Sequence, residues 1–191
     1  MPPLIPWLWT AFFLWWLIRS IGVKPTRVRE SLWARFGQAA VVTLAFILIT
    51  WRWDRQGIFA FSFLSDPARA ELGPALTLFT LLGIGFAVWA REHLGRNWSA
   101  QVTVKEDHKL IRTGPYALIR HPIYTGLLVA TLASALAVGR INALAGFAVL
   151  AVSFWFKSRK EERWMEGEFG AAYDDYRKVS GHFLPRVVRG G

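Results

Sequence analysis

Residues 120–160 read RHPIYTGLLVATLASALAVGRINALAGFAVLAVSFWFKSRK. The run holds two apolar stretches, Pro122–Val138 and Ile141–Phe156, with only Gly139 and Arg140 between them. Such a short connection predicts two helices packed as an antiparallel hairpin. A polar pair, Arg120 and His121, precedes the first stretch, and a charged run, Lys157 to Arg163, follows the second. Both polar segments therefore fall at the same end of the hairpin. Pro122 suits the first turn of a helix, where its missing N–H is not needed. The free N–H groups of that turn and the helix dipole favour an anion there.

Working outward, three more apolar segments appear at Trp7–Val23, Phe36–Trp53 and Pro74–Ala90. A spanning helix needs about 20 residues, with a lower limit near 17. All five segments are short by that measure, and flanking residues such as Arg91 and Lys157 would reach the interface by snorkelling. The chain of 191 residues is 53% hydrophobic, with 11 Trp and a net charge of +10. That apolar share exceeds the roughly 45–50% of soluble domains. The charge is clustered between the apolar runs, which fits membrane topology and anionic head groups rather than nucleic acid. Nineteen Lys and Arg fall on one set of alternate loops and four on the other. The positive-inside rule then puts the N-terminus outside and the C-terminus in the cytoplasm.

These readings give an all-α fold. The expectation is an integral, multi-pass helical bundle of about five transmembrane helices with a C-terminal amphipathic cytoplasmic helix. It is one membrane domain over 1–191, with N-terminal spans in 1–94 and a second half in 95–191. If the chain is bacterial, its place is the inner membrane. Gly57–Ala70 is expected at the outer interface, since it mixes Phe59, Phe61, Phe63 and Leu64 with Asp66 and Arg69. Lys157–Tyr176 is expected as a tail helix, broken near Gly170, that folds back over the bundle. Gly83 and Gly85 would allow close helix contacts.

The chain has no cysteine, which excludes disulfides, thiolate metal sites and a Cys nucleophile. Three polar constellations remain. Tyr116, Arg120, His121 and Tyr124 could form a pocket for a ligand with an anionic group and a planar or cationic part. Read from composition alone, the same residues are a basic flank with interfacial tyrosines. Lys157 and Glu161 share a helix face at the membrane boundary, where they line a polar cavity or a solvated surface. The 19-residue loop Gly95–Thr113 is long for a structureless connection. His93 and His182 have no partner cluster in the sequence, so no metal site is expected.

Three motifs then stand in order: H-x-L-I-x-x-G-x-Y from His108, R-H-P-x-Y-x-G from Arg120, and the pair Glu161-Glu162 before F-G-x-x-Y-x-x-Y from Phe169. Over about residues 95–186 the chain resembles the isoprenylcysteine carboxyl methyltransferase family and the wider group of membrane phospholipid methyltransferases. The resemblance implies S-adenosyl-L-methionine as cofactor, bound on the cytosolic side, and a lipophilic or prenylated acceptor. It assigns cofactor contacts to Gln101, His108, Lys109, Leu110, Ile111, Tyr116, His121, Pro122, Ile123, Tyr124 and Glu161. It assigns catalytic roles to Lys157 and Glu161, with Lys157 where eukaryotic members carry an Arg facing the substrate carboxylate. Lys is a point charge and cannot make the bidentate fork. Competing expectations are a phospholipid N-methyltransferase, an NADPH-dependent membrane reductase of the sterol type, whose C-terminal half is similar, and a non-enzymatic membrane scaffold.

Overall fold

The computed structural model describes residues 1–21, 31–50, 61–95 and 110–186. The described residues form six α-helices, which makes the fold all-α. They are α1 (Leu4–Ser20), α2 (Leu32–Thr50), α3 (Asp66–Leu94), α4 (Pro122–Val138), α5 (Ile141–Phe169) and α6 (Ala171–Val179), with a 3-10 turn at Gly114–Ala117 before α4. Two of these, α3 and α5, are long and apolar enough to cross a membrane; α1, α4 and residues 36–50 of α2 are shorter apolar helices. Large apolar side chains stay exposed along them, including Trp7 at 71%, Phe79 at 54% and Trp155 at 49%. A surface so rich in uncovered Trp, Phe and Leu requires an apolar surround. The protein is membrane-associated.

The hairpin of α4 and α5 is present with the boundaries that Pro122 and Gly139 set. Gly139 caps α4 in the left-handed conformation, with φ of 70°, which a Cβ would strain. The core of the bundle is the seam between α3 and α4, where backbones touch. A Cβ on Gly83 would lie 2.6 Å from the Gly126 carbonyl oxygen, and one on Gly126 would lie 2.5 Å from that of Gly83. Gly85 meets nothing within 4 Å, so only the first glycine of that pair makes the close approach. Buried hydroxyls add polar ties across the seam. Trp9 Nε1 donates to Ser134 Oγ at 2.9 Å, joining α1 to α4. On the other side of the bundle α2 lies against α5, where Gln38 and Ser153 bond each other.

One expectation gains detail and one is corrected. The segment expected at the outer interface is helical from Asp66 onward, because Ser65 caps α3 by accepting from the Ala68 N–H at 3.4 Å and Pro67 suits the first turn. Residues 57–60 lie outside the described residues. The charged tail is also not a separate helix from Lys157. It continues α5 to Phe169, because Lys, Arg, Glu, Trp and Met between Phe156 and Gly170 are all helix-compatible. The break comes at Gly170, with φ of 48°, and α6 follows. The apolar portion of α5, Ile141–Phe156, thus passes without interruption into a charged portion.

Where the two portions meet, the start of α4 and the end of α3 lie close by. A short strap after α6 closes this end. The Arg120 N–H donates to the Gly181 carbonyl at 2.8 Å, the Gly181 N–H to Leu118 at 2.9 Å, and the His121 N–H to His182 at 3.2 Å. A Cβ on Gly181 would sit 1.7 Å from the Leu184 carbonyl oxygen, so the strap turns tightly there.

Candidate functional site

His121 caps α4 and is buried beneath the strap. One turn on, Tyr124 stacks on it with ring centroids 5.7 Å apart and planes 12° apart. Tyr124 also stacks on Phe154 of α5 at 4.8 Å. Its hydroxyl donates to Glu161 Oε1 at 2.6 Å, and the other Glu161 oxygen lies 3.5 Å from His121 Nδ1. Two residues from the start of α4 and one from the charged portion of α5 are therefore locked together. Their spacing explains this: His121 and Tyr124 are three apart and share a face of the first turn.

Glu162 is the hub of the site. It is 2% exposed and lies beside Arg120, whose Nε donates to its Oε1 at 2.7 Å. His182 Nδ1 stands 3.0 Å from the same oxygen, and Arg159 donates to Oε2 at 3.4 Å. Burial alone would raise the Glu162 carboxyl; His121, His182 and Arg120 outweigh it and hold the group far below the usual carboxylate range. Burial would likewise lower His121, but Glu161 and Glu162 together raise it. Arg120 also donates to the Ser180 carbonyl at 2.5 Å, so the strap and the hub share one guanidinium.

Tyr116 lies at the other edge, buried against Ala90 and Ile123 with Ile111 packed beside it. Its ring stacks on His93 at 6.3 Å, and its carbonyl accepts from the Tyr176 hydroxyl at 2.6 Å. Leu110 is partly buried, and Pro122 and Ile123 are buried at the foot of α4. Gln101, His108 and Lys109 lie outside the described residues, as does most of the long loop. Lys157 is partly buried one turn before Glu161 and helps hold that carboxyl low. It lines a groove of about 640 Å³ between α2 and α5, with Val41, Val149, Val152, Phe156 and Lys160.

The structure thus brings together Tyr116, His121, Tyr124, Glu161 and Lys157 around one end of the bundle. It also corrects the reading of His182 as a histidine without partners. His182 packs against His121 with centroids 4.8 Å apart, bonds Ser158 at 2.9 Å and faces Glu162. Glu162 was visible as the second member of the acidic pair, but one step along a helix turns a side chain by about 100°, enough to give the two carboxylates different surroundings.

Residues 75–166 match the isoprenylcysteine carboxyl methyltransferase family. Over that stretch the chain is homologous to the family. It is 32% identical over 113 residues to the protein-S-isoprenylcysteine O-methyltransferase of Schizosaccharomyces pombe, which covers 57% of this chain and 48% of that one. It is 30% identical over 122 residues to the cobalt-zinc-cadmium resistance protein CzcN of Cupriavidus metallidurans, covering 61% of this chain and 52% of the relative. The chain spans about half the length of these two curated relatives. Among solved structures it resembles a eukaryotic intramembrane Ras methyltransferase, also an isoprenylcysteine carboxyl methyltransferase. The TM-score is 0.54 at 21% identity, over 83% of this chain and 54% of the other. At that identity the likeness is one of fold. The family match runs from α3 through the acidic pair, so it contains His121, Tyr124, Lys157 and both glutamates.

Proposed function

We propose that this chain is an S-adenosyl-L-methionine-dependent methyltransferase that esterifies the carboxylate of a lipophilic, isoprenylcysteine-type acceptor. The observation that carries this reading is the juxtaposition of two features. The locked set Tyr124–Glu161–His121 stands at one end of α5, and an apolar groove ending in Lys157 and Lys160 runs along the same helix.

The residues fit the cofactor's chemistry. A sulfonium joined to a planar base and an amino-acid group is complemented by aromatic faces and a carboxylate, which Tyr116, Tyr124 and Glu161 supply. When bound, that group supplies an electrophilic methyl. The chain's own residues do the rest. Tyr124 and Glu161 fix each other through the 2.6 Å bond, so neither must reorganise when charge moves nearby. The groove removes an acyl or prenyl chain from water, and its Lys157 end orients the acceptor's negative head. A carboxylate acceptor needs no general base, because its nucleophilic oxygen is already deprotonated.

We further propose five spans within one domain, with the N-terminus outside and this site on the cytoplasmic face. The support is the clustering of basic residues beside it: Arg120, Lys157, Arg159, Lys160 and Arg163. Lipophilic acceptor and soluble cofactor would then meet from opposite sides. Calorimetry of the purified protein with S-adenosylhomocysteine tests the reading. Binding that weakens in His121→Ala and Tyr124→Phe is expected. Folded protein that binds nothing, or binding indifferent to both changes, refutes it.

A further inference from the structure

Two imidazoles and a carboxylate converge from three separate parts of the fold. His121 comes from the start of α4, Glu162 from the charged portion of α5, and His182 from the strap. One ligand-type atom of each lies within 4.8 Å of the others. We propose that this trio binds a divalent first-row transition cation of the zinc type, held by His121 Nε2, His182 Nδ1 and the Glu162 carboxylate.

Hydrogen accounting carries the argument. Ser158 Oγ has one hydrogen, and it lies 2.9 Å from the Trp155 carbonyl oxygen, which can only accept. Ser158 therefore accepts at its other contact, from His182 Nε2–H at 2.9 Å. In the neutral ring, His182 Nδ1 is then a lone pair, and it faces Glu162 Oε1 at 3.0 Å. Two lone pairs at that distance repel unless a positive species stands between them: a proton on Nδ1, or a metal ion.

His121 adds a second buried nitrogen aimed at the same carboxylate. Its Nε2 is buried and has no hydrogen-bond partner, although it points at Glu162 Oε1 from 3.6 Å. Its Nδ1 faces Glu161 Oε2 at 3.5 Å, so a neutral ring with its proton at Nδ1 turns the Nε2 lone pair toward Glu162. A proton on His182 does nothing for this orphaned nitrogen. A cation among the three atoms satisfies it together with the other two.

The donor set and its surroundings suit a metal. Two His and one Glu are a familiar zinc set, with bonds of about 2.0–2.2 Å and a fourth position left open. Ligand atoms around such an ion stand roughly 3.4 Å apart, so the widest pair closes by at most ~1.4 Å and the 3.0 Å pair opens slightly. Each donor has an orienting partner behind it: Glu161 for His121, Ser158 for His182, and Arg120 for Glu162. Among the cations at the rim, Lys157 acts on Glu161, and Arg159 holds Glu162 Oε2 at 3.4 Å. Arg159 is 49% exposed and can turn to water, which frees Oε2. Arg120 remains on Oε1, and Glu161 with Glu162 offsets the added charge.

The test uses the full chain in detergent, stripped with a chelator and titrated with zinc chloride by calorimetry, and with cobalt chloride by visible absorption. One zinc per chain and a tetrahedral cobalt spectrum are expected. His182→Ala should weaken zinc at least ~10-fold. His93→Ala should not, because His93 bonds Thr113 outside the trio. Helical protein that takes up no stoichiometric zinc overturns the proposal, as does uptake unchanged by His182→Ala. Titrating S-adenosylhomocysteine into the same preparations separates this from the methyltransferase reading. Cofactor binding without zinc binding sinks the metal site alone, and zinc binding without cofactor binding leaves the metal site standing.

Discussion

Tyr124 and Glu161, 37 residues apart in the chain, share a hydrogen bond of 2.6 Å across the seam between α4 and α5. Tyr124 also stacks on His121 and on Phe154. Removing its hydroxyl should therefore leave the ring in place and release only the carboxylate. Tyr124→Phe is expected to weaken S-adenosylhomocysteine by about 1–3 kcal/mol, since a charged acceptor loses its donor. Calorimetry reads the change, and an unchanged near-ultraviolet spectrum confirms the packing.

Glu162 should matter more for folding than for binding. Removing one partner of a buried ion pair costs about 3–5 kcal/mol. Arg120, at 10% exposure, would be left beside an apolar replacement. Glu162→Ala is expected to lower the detergent melting temperature steeply, and Glu162→Gln less so. Acid should separate them further. The folded carboxyl lies below its unfolded value of about 4.3, so its contribution is whole above that pH and is lost as pH falls below it. Between about pH 5 and pH 3 the parent protein should lose stability faster than Glu162→Gln. Parallel pH curves would contradict the assignment.

Lys157 gives a prediction of the opposite kind. It lines the groove and acts on Glu161 through charge. Lys157→Glu should raise the apparent KM for a prenylated carboxylate by ~10-fold or more, the ~1.4 kcal/mol expected when an attractive charge near the head group turns repulsive. S-adenosylhomocysteine binding should change far less. Equal losses of both would mean that Lys157 belongs to the cofactor rather than the acceptor.

The glycine seam sets a limit on the scaffold. Gly126→Val adds a branched side chain where even a Cβ meets the Gly83 carbonyl at 2.5 Å. Backbone cannot yield as a flexible side chain does, so the helices must part. Loss of the monodisperse gel-filtration peak is expected. Gly85→Ala, which meets nothing within 4 Å, is the matched control and should behave as the parent.

The hairpin was legible in the sequence because Pro122, Gly139 and the two apolar runs are local signals. The same holds for the break at Gly170. The length of α3 was not legible, since a cap at Ser65 is hidden by the aromatic residues before it and Pro74 reads as a start rather than an interior residue. Within the site, His121, Tyr124 and Glu161 were named through motifs, and the structure joins them. Glu162 stood in the acidic pair with no role assigned and His182 in no motif, because their meaning depends on the strap lying across the foot of α4. No periodicity carries that information: the bonds that seat the strap join residues some 60 positions apart.

That separation has a consequence for synthesis. Arg120 and His121 leave the ribosome long before Ser180 and His182, yet their backbone and side-chain partners lie on the later segment. A nascent chain that stops short of residue 180 carries the hairpin but not the finished pocket. Its Arg120 lacks one carbonyl and its Glu162 one imidazole. The proposed site is therefore completed late in translation, after every residue of its apolar helices has been made.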